Sequence, residues 1–150
     1  MAVAIWQFAK RDTGTGVPPV SRIRVNDSQT IVAGDLLIIS AKKASKAGAA
    51  AAIDTILGVA AEAITTTTAT DASIISYYPA QADMVWRAQY LTTGTKTSFT
   101  DADLNTVYDI DANTKINPDD TTGGFCELVG YNNTDKVAFV RIIAAQLYLS

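Results

Sequence analysis

The chain has 150 residues, of which 48% are hydrophobic and 18% charged, and its formal net charge is −3. This length suits one domain with a sizeable core, and the scattered basic residues argue against a phosphate-binding face and hence against nucleic-acid binding. Because no window approaches the roughly 18 uncharged apolar residues of a membrane span, and no basic region precedes the first apolar residues, neither a membrane protein nor a secretion signal is expected.

The first 19 residues predict an extended arm. They show no sustained helical or strand period and end in two glycines and two prolines, which favour extended or turning backbone. An apolar tail in water is an aggregation hazard, but an extended segment can add to a neighbour's sheet edge and insert alternate side chains into its pockets. We therefore predict a docking arm at 1–19, with Trp6 as the anchor, and one β-rich domain at 20–150. The candidate binding residues are Val3, Ile5, Trp6, Phe8, Pro18 and Pro19.

A second interpretation of this stretch stays open. Residues 2–8 can instead form the first strand of the same domain, with Trp6 packed in its own core, because terminal strands are often tied into a sheet.

The first half of the domain shows strand patterns separated by turn residues. Residues 20–25 alternate apolar and polar side chains, as a strand with one wet face requires. A Gly34-Asp35 bend precedes a buried strand at 36–39. The alanine-rich segment 42–52 lacks a large apolar face, and we expect it to be a loop.

Further strands are predicted to the end of the chain. They cover 55–65, 73–78 and 84–91, and the last of these alternates most clearly. A turn or single helical turn is expected after Phe99, before a short strand at 107–110, and residues 125–131 and 137–143 should form a hairpin. Short strands, frequent turn residues and no long amphipathic helix predict an all-β barrel or sandwich with short helical turns and an extended N-terminal arm.

Residues suited to catalysis or metal binding are scarce. The chain has no histidine, which removes the commonest general base and zinc ligand, and its one cysteine, Cys126, lies in a predicted strand, where a buried hydrophobe is expected. The aspartates fall near predicted turns. Asp109, Asp111 and Asn113 have the first spacings of a calcium loop, but Thr114 replaces the required glycine and no glutamate closes the loop. We expect no enzyme activity, no metal and no cofactor.

Three segments in fixed order carry a family resemblance. They are GDLLII at 34–39, ILGVAAEAI at 56–64 and the stretch from DADLNTVYDID to VAFVRI at 101–142. Together they resemble the capsid decoration, or cement, proteins of tailed bacteriophages. The resemblance implies a small β-rich protein, frequently a trimer, that sits on the outside of an assembled head and reinforces it without catalysis.

The sequence thus leads us to expect a noncatalytic viral structural protein on the outer surface of the virion. Its expected partners are the major capsid protein and two further copies of itself in a homotrimer, with neither nucleic acid nor membrane. Two other functions stay open. One is a phage tail, neck or fibre component, and the other is a carbohydrate-binding β-sandwich that uses Trp86, Tyr77, Tyr78 and Tyr90 for stacking, although core packing is the better expectation for Trp86.

Overall fold

The computed structural model describes residues 5–11, 19–48, 55–111 and 114–148, and it confirms the all-β fold. Helical structure in this part of the chain is limited to two 3-10 turns, Asp101–Asp103 and Ala144–Gln146. The strands of the described residues are β1 (Trp6–Arg11), β2 (Ser21–Arg24), β3 (Thr30–Ile31), β4 (Leu36–Ser40), β5 (Lys43–Lys46), β6 (Ile56–Ala60), β7 (Ile64–Thr65), β8 (Ile74–Pro79), β9 (Met84–Gln89), β10 (Val107–Ile110), β11 (Ile116–Asn117), β12 (Cys126–Asn132) and β13 (Val137–Ile142).

The strands form two large antiparallel sheets and one small one. The six-stranded sheet has the order β1-β9-β13-β12-β10-β11, the five-stranded sheet has the order β2-β8-β6-β4-β5, and β3 pairs with β7. Each large sheet curls on itself. Ile116 bridges Tyr90 and so returns β11 to the end of β9, while Val25 bridges Ala44 and joins the end of β2 to β5. The molecule therefore has features of both predicted architectures, a sandwich and a small barrel.

Two hydrophobic cores follow from this arrangement. The main core joins the inner face of the six-stranded sheet, including Trp86 and Tyr108, to Leu36, Ile56 and Val59 of the five-stranded sheet. The second core lies on the opposite face of the five-stranded sheet. Its buried members are Val25, Ile31, Leu37, Ala44, Leu57, Ala60 and Ile75. The five-stranded sheet is thus covered on both faces, which explains the nearly continuous apolar sequence of β4 and β6.

The Gly34-Asp35 bend precedes β4 as predicted. Gly34 has φ +95°, a backbone conformation that glycine adopts without a steric penalty, and the Asp35 amide donates to the Val32 carbonyl. The buried Asp35 carboxylate accepts a hydrogen bond from the Val32 amide at 2.9 Å, and its Oδ2 lies 3.7 Å from Lys46 Nζ. The bend is therefore held from both its backbone and its side chain.

The structure corrects three boundaries. The segment expected to be a loop at 42–52 contains β5, because Ala44 is small enough to fill the second core while its neighbours Lys43 and Ser45 are only partly buried; residues 49–52 lie outside the described part. The strand expected at 55–65 is two strands, β6 and β7, since the chain bends at 61–63. The third correction concerns the arm: residues 6–11 form β1, paired with β9 in the domain's own sheet.

Candidate functional site

The predicted docking arm is the first region to locate in the structure. Val3 and Pro18 lie outside the described residues, and Pro19 is exposed ahead of β2. Ile5 and Phe8 pack against the main core, and Trp6 belongs to it. This stretch is therefore the first strand of the domain, which is the alternative that the sequence left open.

Trp6 is held inside the domain rather than presented to a partner. Its side chain is 1% exposed, and its indole Nε1 donates to the Thr114 carbonyl at 2.6 Å. Its ring meets Phe125 edge-to-face, with centroids 6.2 Å apart. A residue 108 positions away thus supplies the hydrogen-bond acceptor for this buried N–H. The prediction that Trp6 is an exposed anchor is therefore replaced by a role in the core.

Phe8 continues this packing but is only partly buried. Its ring meets Trp86 edge-to-face, with centroids 5.8 Å apart. One residue later the pairing of β1 with β9 shifts, because Phe8 lies opposite Trp86 and Lys10 opposite Val85. This bulge turns the end of β1, where Arg11 forms an ion pair with Asp83 at 3.3 Å.

The outer side of β1 is a sheet edge that the Gly34 backbone partly covers. β1 is the first strand of its sheet, so β9 occupies one side of it only. The Trp6 amide points to the other side, where it donates to the Gly34 carbonyl at 3.0 Å. Backbone groups of alternate residues face the same side of a strand, so those of Phe8 point to this edge as well.

An apolar groove runs along this edge between the two large sheets. It has a volume of about 500 Å³. Its lining residues are Trp6, Gln7, Phe8, Ala33, Gly34, Val59, Ala60, Ala61 and Tyr78. The small side chains at Ala33 and Ala61 leave room beside the β1 backbone. A strand edge next to an apolar groove is the arrangement that accepts an added strand, and here it is available beyond the Trp6–Gly34 hydrogen bond. We call this feature the β1 edge groove.

The sequence predicted one wall of the β1 edge groove and missed the other. The apolar residues of β1 were identified as binding candidates, but Ala33 and Ala61 come from distant segments and carry no motif, and Tyr78 was considered only for stacking on a sugar. The signal that could have located them is the Gly34-Asp35 bend, since its positive φ brings the backbone close to β1.

The structure also locates the groups considered for chemistry. Cys126 is fully buried, and burial, with a smaller effect of the Asp109 charge, raises the pKa of its thiol far above the ordinary range. Asp111 accepts a hydrogen bond from the Lys115 amide, and Asp120 accepts one from Thr122. Asn113 lies outside the described residues, and within them no three His, Cys, Asp or Glu side chains are grouped to hold a metal ion.

The aromatic side chains considered for sugar stacking are mostly internal. Trp86 is 0% exposed and Tyr90 is 2% exposed, with the Tyr90 hydroxyl donating to Asn133. Tyr77 packs against the second core, and Tyr78 lines the β1 edge groove. Trp86 is therefore a core residue, which was the better expectation from the sequence.

Comparison with known proteins adds no family assignment: neither the models of protein families nor the curated sequences contain a match to this chain. Among the described helices, none has the length and apolar character to cross a membrane.

Proposed function

We propose that the protein is a noncatalytic structural protein that binds the outer surface of a tailed-bacteriophage head and stabilises the shell. The sequence resemblance over 34–39, 56–64 and 101–142 supplies the family, and the all-β fold agrees with it. The major capsid protein is the proposed partner and a homotrimer the proposed assembly.

The observation that carries the proposal is the β1 edge groove. An extended segment of the major capsid protein can pair with the β1 backbone while its alternate side chains enter the groove. The main-chain hydrogen bonds give affinity without demanding a particular sequence. Repetition of the same contact over a symmetric lattice then strengthens a weak individual interaction.

Strand addition also fits the corrected position of Trp6. Because the indole is fixed in the core, β1 is already ordered before a partner arrives. A preorganised strand loses less conformational entropy on binding than a free arm. β1 is thus a rigid edge that can accept a strand from a partner, whereas the sequence predicted a flexible arm that would itself add to a partner's sheet.

The test is co-sedimentation with purified heads that lack their decoration protein. Ala61→Lys places a charged side chain in the β1 edge groove, whereas Ala63→Lys makes the same change at an exposed position outside it. We expect the wild type and Ala63→Lys to sediment with heads and Ala61→Lys to remain in solution. Equal binding by both variants would remove the groove from the proposal, and failure of the wild type to bind heads would overturn the function itself.

The proposed assembly has a separate measurement. Light scattering should give three times the 15.9 kDa chain mass. A monomer at all concentrations would exclude a preassembled trimer. Binding to purified tails rather than heads would favour the tail, neck or fibre alternative.

A further inference from the structure

The outer face of the six-stranded sheet carries a second surface that the proposed function does not use. On this face, which points away from the main core, Arg87 of β9 lies opposite Phe139 of β13, and Phe139 lies opposite Gly130 of β12. The Phe139 ring packs over the bare glycine backbone, since a Cβ at Gly130 would lie 3.6 Å from it. An apolar ring and a cation are thus neighbours at the centre of the face.

Two clefts meet at this central pair. On the Phe139 side, a cleft of about 340 Å³ is predominantly apolar. Its lining residues are Ala9, Lys10, Val85, Val129, Gly130 and Phe139. On the Arg87 side, a cleft of about 480 Å³ is polar and contains three cations and one carboxylate, those of Arg87, Lys115, Lys136 and Asp135.

The three cations come from separate parts of the fold. Arg87 is on β9, Lys115 directly precedes β11, and Lys136 is in the turn between β12 and β13. Within the described residues, none of the three forms an ion pair, whereas five other basic side chains do. Arg87 has only a hydrogen bond to the neutral Gln7 side chain, at 3.2 Å. A cleft with three cations against one carboxylate, and with none of the three cations in an ion pair, therefore lies on a chain of net charge −3.

We propose that this face is a docking surface for an acidic protein segment that carries an apolar side chain beside its carboxylates. The apolar side chain enters the cleft beside the partly buried Phe139 ring, with the buried Val85 at its base, and the carboxylates face Arg87, Lys115 and Lys136. Charge complementarity selects the partner and speeds its encounter, while the apolar contact supplies the anchor. The proposal does not depend on head binding through the β1 edge groove.

The same observations disfavour nucleic acid as the occupant. Nucleic acid needs a longer basic surface and aromatic rings for stacking, and the aromatic ring that lines this cleft, Tyr90, is 2% exposed.

The probe is the acetylated and amidated peptide Glu-Glu-Leu-Glu-Glu, titrated at low salt and followed by NMR of the labelled protein. We expect shifts at Arg87, Lys136 and Phe139, and binding that weakens as salt is added. The triple variant Arg87→Gln, Lys115→Gln, Lys136→Gln should weaken binding about ten-fold, the combined effect of three modest exposed ion pairs. Replacing the peptide leucine by serine should weaken binding to the wild type.

The matched control is the triple variant Arg22→Gln, Lys42→Gln, Lys43→Gln, which changes the net charge equally at sites away from this face. It should bind the peptide within about two-fold of the wild type. An equal loss of peptide binding in both triple variants would show that the net charge alone causes the effect, and it would overturn the proposal. The proposal would also be overturned if replacing the peptide leucine by serine left binding unchanged, or if a dT oligonucleotide bound more tightly than the peptide at the same salt. Self-association that blocks this face, seen in sedimentation, would overturn it as well. If the first triple variant melts early, Lys136→Gln alone repeats the comparison, because Lys136 is an exposed turn residue.

Discussion

The two cores of this protein are built from different side chains. Edge-to-face aromatic pairs connect Trp6 with Phe125, Phe8 with Trp86, and Phe99 with both Tyr90 and Tyr108 in the main core. The buried members of the second core are all aliphatic. Aromatic side chains with polar atoms need particular partners, whereas an aliphatic core mainly needs the right volume. The main core should therefore be the more specific of the two, and the less tolerant of substitution.

The largest effect is expected from the tryptophan of β1. Trp6→Ala removes a fully buried ring and leaves the Thr114 carbonyl without its indole donor, so the free energy of unfolding should fall by about 3–5 kcal/mol. Urea denaturation measures this change. Trp6→Phe, which keeps a ring but loses the hydrogen bond, should cost less. If Trp6→Ala lowered the free energy of unfolding by less than about 1 kcal/mol, β1 would not be needed for stability, and the prediction of a separable arm would be favoured again.

A smaller loss is expected in the second core. Ile75 is completely buried there, and Ile75→Ala should lower the free energy of unfolding by about 2–4 kcal/mol. Ile75→Val is the control and should cost about 1 kcal/mol. Both tryptophans of the chain lie in the main core, so tryptophan fluorescence monitors that core while circular dichroism monitors all strands. Non-coincident transitions in Ile75→Ala would show that the two cores unfold separately.

Asn133 gives a prediction for the polar edge of the main core. Its Oδ1 accepts from the Phe99 amide at 3.0 Å and from the Tyr90 hydroxyl at 2.9 Å, while its Nδ2 donates to the Phe99 carbonyl at 2.8 Å. Asn133→Ala removes all three bonds and should cost about 1–3 kcal/mol in thermal or urea denaturation. Asn133→Asp keeps the acceptors and should retain part of this stability. If both variants were as stable as the wild type, these hydrogen bonds would not make the main core more specific than the second core.

The smallest effect is a dependence on pH. A hydrogen bond from Lys96 is the chief reason why the pKa of Asp103 is lowered. The pair therefore stabilises the folded state above the unfolded pKa of Asp103, and this contribution is lost as the pH falls through the lower, folded pKa. Since Lys96 is about one-third exposed, the loss should stay below about 1 kcal/mol. Asp103→Asn should remove this part of the acid sensitivity in denaturation at pH 6 and pH 3, whereas Asp71→Asn, at a side chain 89% exposed, should not.

The sequence predicted individual strands and turns better than it predicted how they pack together. Alternation correctly indicated strands at β2 and β9, and the Gly34-Asp35 bend was found where expected, because both signals depend on neighbours along the chain. β5 was missed because Ala44 gives almost no apolar signal, although it fills a small space in the second core. Its burial follows from the bridge to Val25, which no local pattern encodes.

The binding surfaces were harder to predict for the same reason. The apolar stretch of β1 was identified, but whether Trp6 faces a partner or its own core depends on a carbonyl 108 positions away. The basic cleft combines Arg87, Lys115 and Lys136, which look like isolated charges in the sequence. The pairing of β13 with β9 brings Lys136 to Arg87, and the return of β11 to the end of β9 adds Lys115.

The hydrogen bond from Trp6 to Thr114 also has a consequence for synthesis on the ribosome. The strand β1 is made early, but its partner strand β9 and the Thr114 carbonyl emerge much later. At roughly 5–20 residues per second, the 108 intervening positions take about 5–20 s to translate. During that interval the apolar β1 segment has neither its sheet nor its core. The nascent chain should therefore be a client for a ribosome-associated holding chaperone until the second half of the domain is complete.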